Sequence, residues 1–98
     1  MHETKQQRFD RFHSENPQVY MKLVILAREW RERRGPNAKL GIAALFERYR
    51  WEIPDTTTDP DYKISNDHKP YYARLMMRQE ADLADIFTLK SSAADRGL

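Results

Sequence analysis

The stretch from Asn16 to Trp51, NPQVYMKLVILAREWRERRGPNAKLGIAALFERYRW, constrains the fold more than any other part of the chain. It holds two apolar stripes at helical spacing, separated by one Gly-Pro-Asn break. In the first stripe Val19, Leu23, Leu26, Ala27 and Trp30 share a face, and Tyr20 and Val24 widen it. A stripe this broad packs against other elements on two sides. In the second, Ile42, Leu45, Phe46 and Tyr49 follow at i, i+3, i+4 and i+7. Asn16-Pro17 is a helix start, because Asn caps and Pro suits the first helical position. Gly35 and Pro36 end that helix, one by a positive-φ cap and the other by blocking continuation. Asn37 is the expected cap of the second helix, and Gly41 then falls inside it, where a close helix crossing justifies its cost of about 1 kcal/mol relative to Ala.

The flanking segments extend this corner. Thr4 to His13 reads as a short helix with Phe9 and Phe12 on one face, packed on the central helix. His13 follows that pair and ends a helix more naturally than it binds a metal. Residues 69 to 79 read as another helix, capped by Asn66 or Asp67, with Tyr72, Leu75 and Met76 inward. Leu83, Ile86 and Phe87 repeat at helical spacing, so a further helix is expected over about residues 81 to 89. Residues 91 to 98 carry no apolar pattern and read as a frayed tail.

Between the helices lies EIPDTTTDPDYKISNDH. Pro54 and Pro60 argue against a long helix. Trp51–Ile53 and Tyr62–Ser65 fit two short strands around a TTTDPD loop. The expected fold is therefore mostly α: a helix-turn-helix bundle of four to five helices in one domain over residues 1–90, with a short β-hairpin at 51–65 in the position of a wing. Its aspartates Asp55, Asp59 and Asp61 would repel phosphate, and their spacing does not match a D-x-D-x-D-G cation loop.

Charge is distributed in blocks. The window Met21–Arg50 holds eight Lys or Arg against three Glu; residues 51–67 hold five acids against one Lys; His68–Arg78 adds three cations and no acid. This order limits which element can approach a polyanion. The candidate nucleic-acid contacts are Arg31, Arg33, Arg34, Lys39, Arg48 and Arg50 around the corner, and Lys69, Tyr71, Arg74 and Arg78 on the later helix. Competing roles exist for several. Arg31, Arg33 and Arg34 complement the negative end of a helix dipole. Glu47 and Arg50 pair at i, i+3, which weakens Arg50 as a phosphate ligand. The interleaved Tyr and Arg of 68–78 suit a protein-binding face as well as a nucleic acid.

Several classes of activity are disfavoured. The chain has no cysteine, hence no disulfide or thiolate metal site. Its three glycines are scattered, so no phosphate-cradling loop exists. Asn66-Asp67-His68 resembles a fragment of a nuclease triad but has no partner His at motif spacing. No enzyme activity, cofactor or metal is expected. Mean hydropathy of -0.89 and the lack of any run of about 18 apolar residues argue against a membrane span. The polar start, MHETKQQRFDRF, lacks the apolar core of a signal peptide, so a cytoplasmic location is expected.

The segments LGIAALFERYRWE, DYKISNDHKPYYARLMM and DLADIF resemble small uncharacterised proteins of bacteriophages and prophages. The resemblance spans about residues 9 to 87 and implies a phage accessory protein with a winged-helix-like pattern, working in the host cytoplasm. It carries no catalytic motif and assigns no functional residue. Two functions follow: a DNA-binding module, or a protein-interaction factor that binds and modulates a host protein. Trp30, Phe46 and Trp51 belong either to the core or to the seam of a homodimer.

Overall fold

A computed structural model describes residues 3–52 and 66–87. Four α-helices make up most of them: α1 (Lys5–Glu15), α2 (Pro17–Arg34), α3 (Ile42–Glu52) and α4 (Lys69–Gln79), with 3-10 turns at Asn66–His68 and Ala81–Leu83. The helical class and the corner at Gly35 agree with the sequence pattern. No strand occurs among the described residues; Leu40 and Phe87 form one isolated parallel bridge. The hairpin expected at 51–65 lies outside the described residues except at its start. There Trp51 and Glu52 are the last turn of α3 and not the first residues of a strand.

The α2 stripe folds inward as its spacing requires. Val19, Tyr20, Leu23, Val24, Leu26 and Ala27 are buried, against Leu45, Phe46 and Tyr49 of α3 and Tyr72, Ala73, Leu75 and Met76 of α4 in one core. Burial of this kind contributes about 1.5–3 kcal/mol for each large apolar side chain. Gly35 has φ 103° and closes α2 by donating its N–H to the Arg31 carbonyl at 2.8 Å. A β-carbon at that φ is strained, so glycine is required there.

α1 is attached by aromatic rings. Phe9 stacks on Tyr71 at 5.3 Å and meets Tyr72 edge-on at 4.8 Å; Phe12 lies 4.9 Å from the His68 ring. Thr4 caps the helix through a reciprocal box with Gln7. The helix continues past His13 to Glu15.

Five local expectations are corrected. Asn16 does not cap α2; its buried side chain turns back and donates to the Phe12 carbonyl at 3.0 Å, closing α1 instead. Asn37 lies in a turn five residues before α3, and Gly41 precedes the helix with open space where a β-carbon would stand, so no close crossing uses it. α4 follows the 3-10 turn directly, and His68 at its cap position makes no side-chain capping bond. Finally, residues 81–87 form a 3-10 turn and an extended bridge rather than a helix. Leu83, Ile86 and Phe87 are still buried, because a short turn points the same three side chains inward. The Leu40 N–H donates to the Ile86 carbonyl at 2.8 Å, fixing this segment to the α2–α3 corner.

Candidate interaction face

Helix α2 presents cations on two sides, and its C-terminal half separates them. On one side the segment after α4 brings three carboxylates to it. Arg28 donates from Nε and Nη2 to both Asp82 oxygens, at 2.9 and 3.1 Å, and from Nη2 to Glu80 at 2.8 Å. Arg31 donates to the Asp82 carbonyl and to Asp85, each at 2.7 Å. Lys39 donates to the Asp85 carbonyl at 2.6 Å. The Tyr20 hydroxyl donates to Glu80 at 2.8 Å; burial, followed by that bond and the nearby carboxylate, pushes the phenol well above its ordinary pKa. The Arg28 side chain beside Asp82, and Arg31 beside Asp85, hold those carboxyls below the usual carboxylate range. Forked arginine–carboxylate pairs are the strong members of their class. This network therefore works as a clamp that ties residues 80–85 to α2.

On the other side of α2 lies a pocket of about 260 Å³ between α2 and α3. Leu26, Trp30, Leu40, Ala44 and Leu45 give it an apolar lining, while Glu29, Arg33, Arg34 and Arg48 carry its charge. The Arg34 guanidinium sits over the Trp30 ring, 4.9 Å from its centroid. That contact is worth about 0.5–1 kcal/mol at an exposed site and leaves the guanidinium N–H groups available. Arg48 pairs with Glu52 one turn on at 2.9 Å, with both side chains substantially exposed. Such surface pairs contribute little and exchange readily.

The exposed large apolar side chains of the described residues are Met21, Ile25 and Trp51. Trp51 is 80% exposed, so it neither packs beneath α3 nor joins the core. It stands three residues after Arg48 and seven after Ala44, on the side of α3 that borders the pocket. Met21 and Ile25 are spaced i, i+4 with Glu29 along α2. No protein-family model, curated protein or solved structure matches this chain.

The remaining candidate residues fall elsewhere. Arg50 donates to Glu47 at 3.0 Å and to Asn66 at 2.7 Å, bracing α3 against the start of the 3-10 turn. Tyr71 is half-buried against Phe9, and Arg74 stacks 5.2 Å from the Tyr71 centroid while donating to the Pro70 carbonyl. Arg78 is exposed and Lys69 half-buried. None of the α4 group borders the pocket. The ten candidates therefore do not converge on one surface. Arg33, Arg34 and Arg48 share the pocket rim; Arg31 and Lys39 belong to the clamp; Arg50 and the α4 residues lie apart. Among the described residues no three His, Asp or Glu side chains come together as a metal-ligand set, and no helix is long and apolar enough to cross a membrane.

The roles that sequence reasoning missed are those of Glu80, Asp82 and Asp85, which neutralise Arg28, Arg31 and Lys39, and of Met21 and Ile25, which stand exposed on α2. Asp82 and Asp85 at i, i+3 beside Leu83 and Ile86 was the available signal: an acidic edge on an apolar segment.

Proposed function

We propose that this chain is a small helical interaction module that binds and modulates a protein of the cell in which it acts, through its α2–α3 face. The phage resemblance makes that cell a bacterial host and its cytoplasm the place of action. One observation carries the reading: uncovered apolar bulk (Met21, Ile25, Trp51) lies on the two helices that also border an apolar pocket with a charged rim. Exposed tryptophan, methionine and arginine are enriched at protein interfaces, and tryptophan and arginine dominate their hot spots.

The cation pattern favours protein over duplex DNA. Arg31 and Lys39 are engaged by Asp82 and Asp85 and are not offered to phosphate. Nucleic-acid binding is the second reading, because Arg33, Arg34 and Arg48 beside the open Trp51 ring also suit phosphate contact with base stacking. In its winged-helix form that reading needs a hairpin across residues 53–65.

The test compares host-lysate capture on the immobilised full chain with capture on Met21→Ser/Trp51→Ser and on Arg78→Ala. A protein retained by the wild type and by Arg78→Ala, but lost with the double variant, supports the interaction reading. Duplex-DNA binding that falls steeply with added salt, with no protein retained selectively, sinks it in favour of the second.

A further inference from the structure

Resting on the protein-binding reading above, we infer that the occupant of the α2–α3 groove is an acidic helical segment of the partner, with one bulky apolar side chain seated in the pocket and its carboxylates on Arg33, Arg34 and Arg48.

Size comes first. Pockets that enclose a cofactor or drug-sized molecule run to about 300–1,000 Å³. At about 260 Å³ this one lies just below that range and suits an inserted side chain. Its depth is apolar, formed by Leu26, Leu40, Leu45 and the face of Trp30, which favours an aromatic or branched aliphatic anchor over a phosphate or a sugar.

Charge decides the rest of the occupant. Arg33 and Arg34 are adjacent on α2, and neither has an ion pair among the described residues. Arg34 sits over the Trp30 ring, which restricts the guanidinium and leaves its planar fork for a carboxylate. Arg48 faces them from α3, and its exposed bond to Glu52 is readily exchanged for an incoming acid. Glu29 is the one acidic residue on the rim, and its presence directs the acids of the occupant toward the Arg33 end.

The groove also has length. Trp51, exposed one turn after Arg48, prolongs its α3 side. An amphipathic helix laid in a groove is read through anchors at i, i+3, i+4 and i+7, which matches a pocket followed by a second apolar point. A second copy of this chain is a poorer occupant. A two-fold interface centred on the groove brings the Arg33, Arg34 and Arg48 of each copy toward those of the other.

The test is a backbone-amide NMR titration of the full chain with synthetic helix-forming peptides. The first carries Phe with Glu at i+3, i+4 and i+7. In the second Lys replaces each Glu, and in the third Ala replaces Phe. Oligothymidine serves as the nucleic-acid arm. The inference expects the Phe/Glu peptide to shift the amides of Trp30, Ala44 and Arg48, and to bind at least about tenfold more tightly than either control. Arg33→Ala/Arg34→Ala lowers its affinity by about tenfold or more. Ala44→Leu, which fills the pocket from an exposed position, lowers it without removing any charge.

Equal or tighter binding of the Lys peptide at those amides overturns the acidic occupant and leaves the protein-binding reading standing. Shifts there with oligothymidine alone overturn both. No shift with any probe overturns the inference, while the lysate comparison still decides the broader reading.

Discussion

Arg31 and Arg33 stand two residues apart in the last turn of α2, and the fold gives them opposite surroundings. Arg31 is 14% exposed at its side chain and fixed by the Asp82 carbonyl and the Asp85 carboxylate. Arg33 is exposed on the rim of a pocket. Both complement the helix dipole equally well. What separates them is the chain that arrives from far away in sequence. A basic helix end is thus not one feature but two, and only the side left uncovered is free to recognise another molecule.

The sharpest challenge to this contrast is removal of the clamp's anchor. Leu83 is fully buried and sits between the Asp82 and Asp85 contacts. Leu83→Ala is expected to destabilise the fold by about 2–5 kcal/mol, the range for a buried leucine truncated to alanine. The urea midpoint reports it. A loss below about 0.5 kcal/mol, the size of an ordinary surface effect, would mean that residues 80–85 are not integrated with α2.

Next in size is the direct pairwise comparison. Arg31→Ala removes the hydrogen bonds to the Asp82 carbonyl and the Asp85 carboxylate together with a largely covered side chain, and is expected to cost about 1 kcal/mol. Arg33→Ala is expected to remain within about 0.5 kcal/mol of wild type. Equal losses in the same denaturation experiment break the distinction between the two sides.

Acidification acts on the clamp and on the α1 attachment in separate windows. Burial among Phe9, Phe12 and Tyr72 pushes the His68 imidazole below its ordinary pKa, with nearby Arg8 acting in the same direction and Asp67 opposing. The folded state therefore prefers neutral His68. That contribution is complete above the unfolded value of about 6.5 and is lost as pH falls through the lowered folded value. Asp82 and Asp85, also lowered, contribute fully above about 3.9 and lose their contribution as pH falls through their own depressed values. Urea midpoints measured from neutral to strongly acidic pH should thus decline in two steps, and His68→Phe should remove only the upper one. A single acidic step in both proteins would contradict this assignment.

The smallest expected effect lies on the open face. Trp51 is a large aromatic residue, yet Trp51→Ser should change stability by no more than about 0.5 kcal/mol. A loss of core-like size would place its ring inside the fold and remove it from the proposed contact.

How much of this was legible in the sequence depends on the range of the interaction. The α2 and α3 stripes predicted their buried faces, with Trp30 and Ile42 only partly buried at the margins, because periodicity reports which side of a helix is inward. The Glu47–Arg50 pair was legible for the same local reason. What escaped was set at long range. Nothing near Arg28, Arg31 or Lys39 announces that residues 80–85 will meet them. The role of Asn16 turned on a choice between two adjacent helices, both of which it can serve. Of the two positions open to Trp51, the core is excluded: aromatic character predicts burial on average, whereas its angular position on α3 puts it outside the stripe of Leu45, Phe46 and Tyr49. The 3-10 turn at Ala81–Leu83 buries the same side chains as a helix would, so the apolar pattern alone did not distinguish them.

The bridge between Leu40 and Phe87 has a consequence for biosynthesis. A ribosome makes α2 well before it makes the carboxylates that match Arg28 and Arg31. The growing polypeptide emerges with that flank unneutralised and with the hydrophobic seat of Leu83 and Ile86 still empty. Only after the stretch around residue 87 has cleared the exit tunnel can the molecule close. Stalling or truncation upstream of that point yields a sticky, cationic intermediate of the kind that chaperones retain.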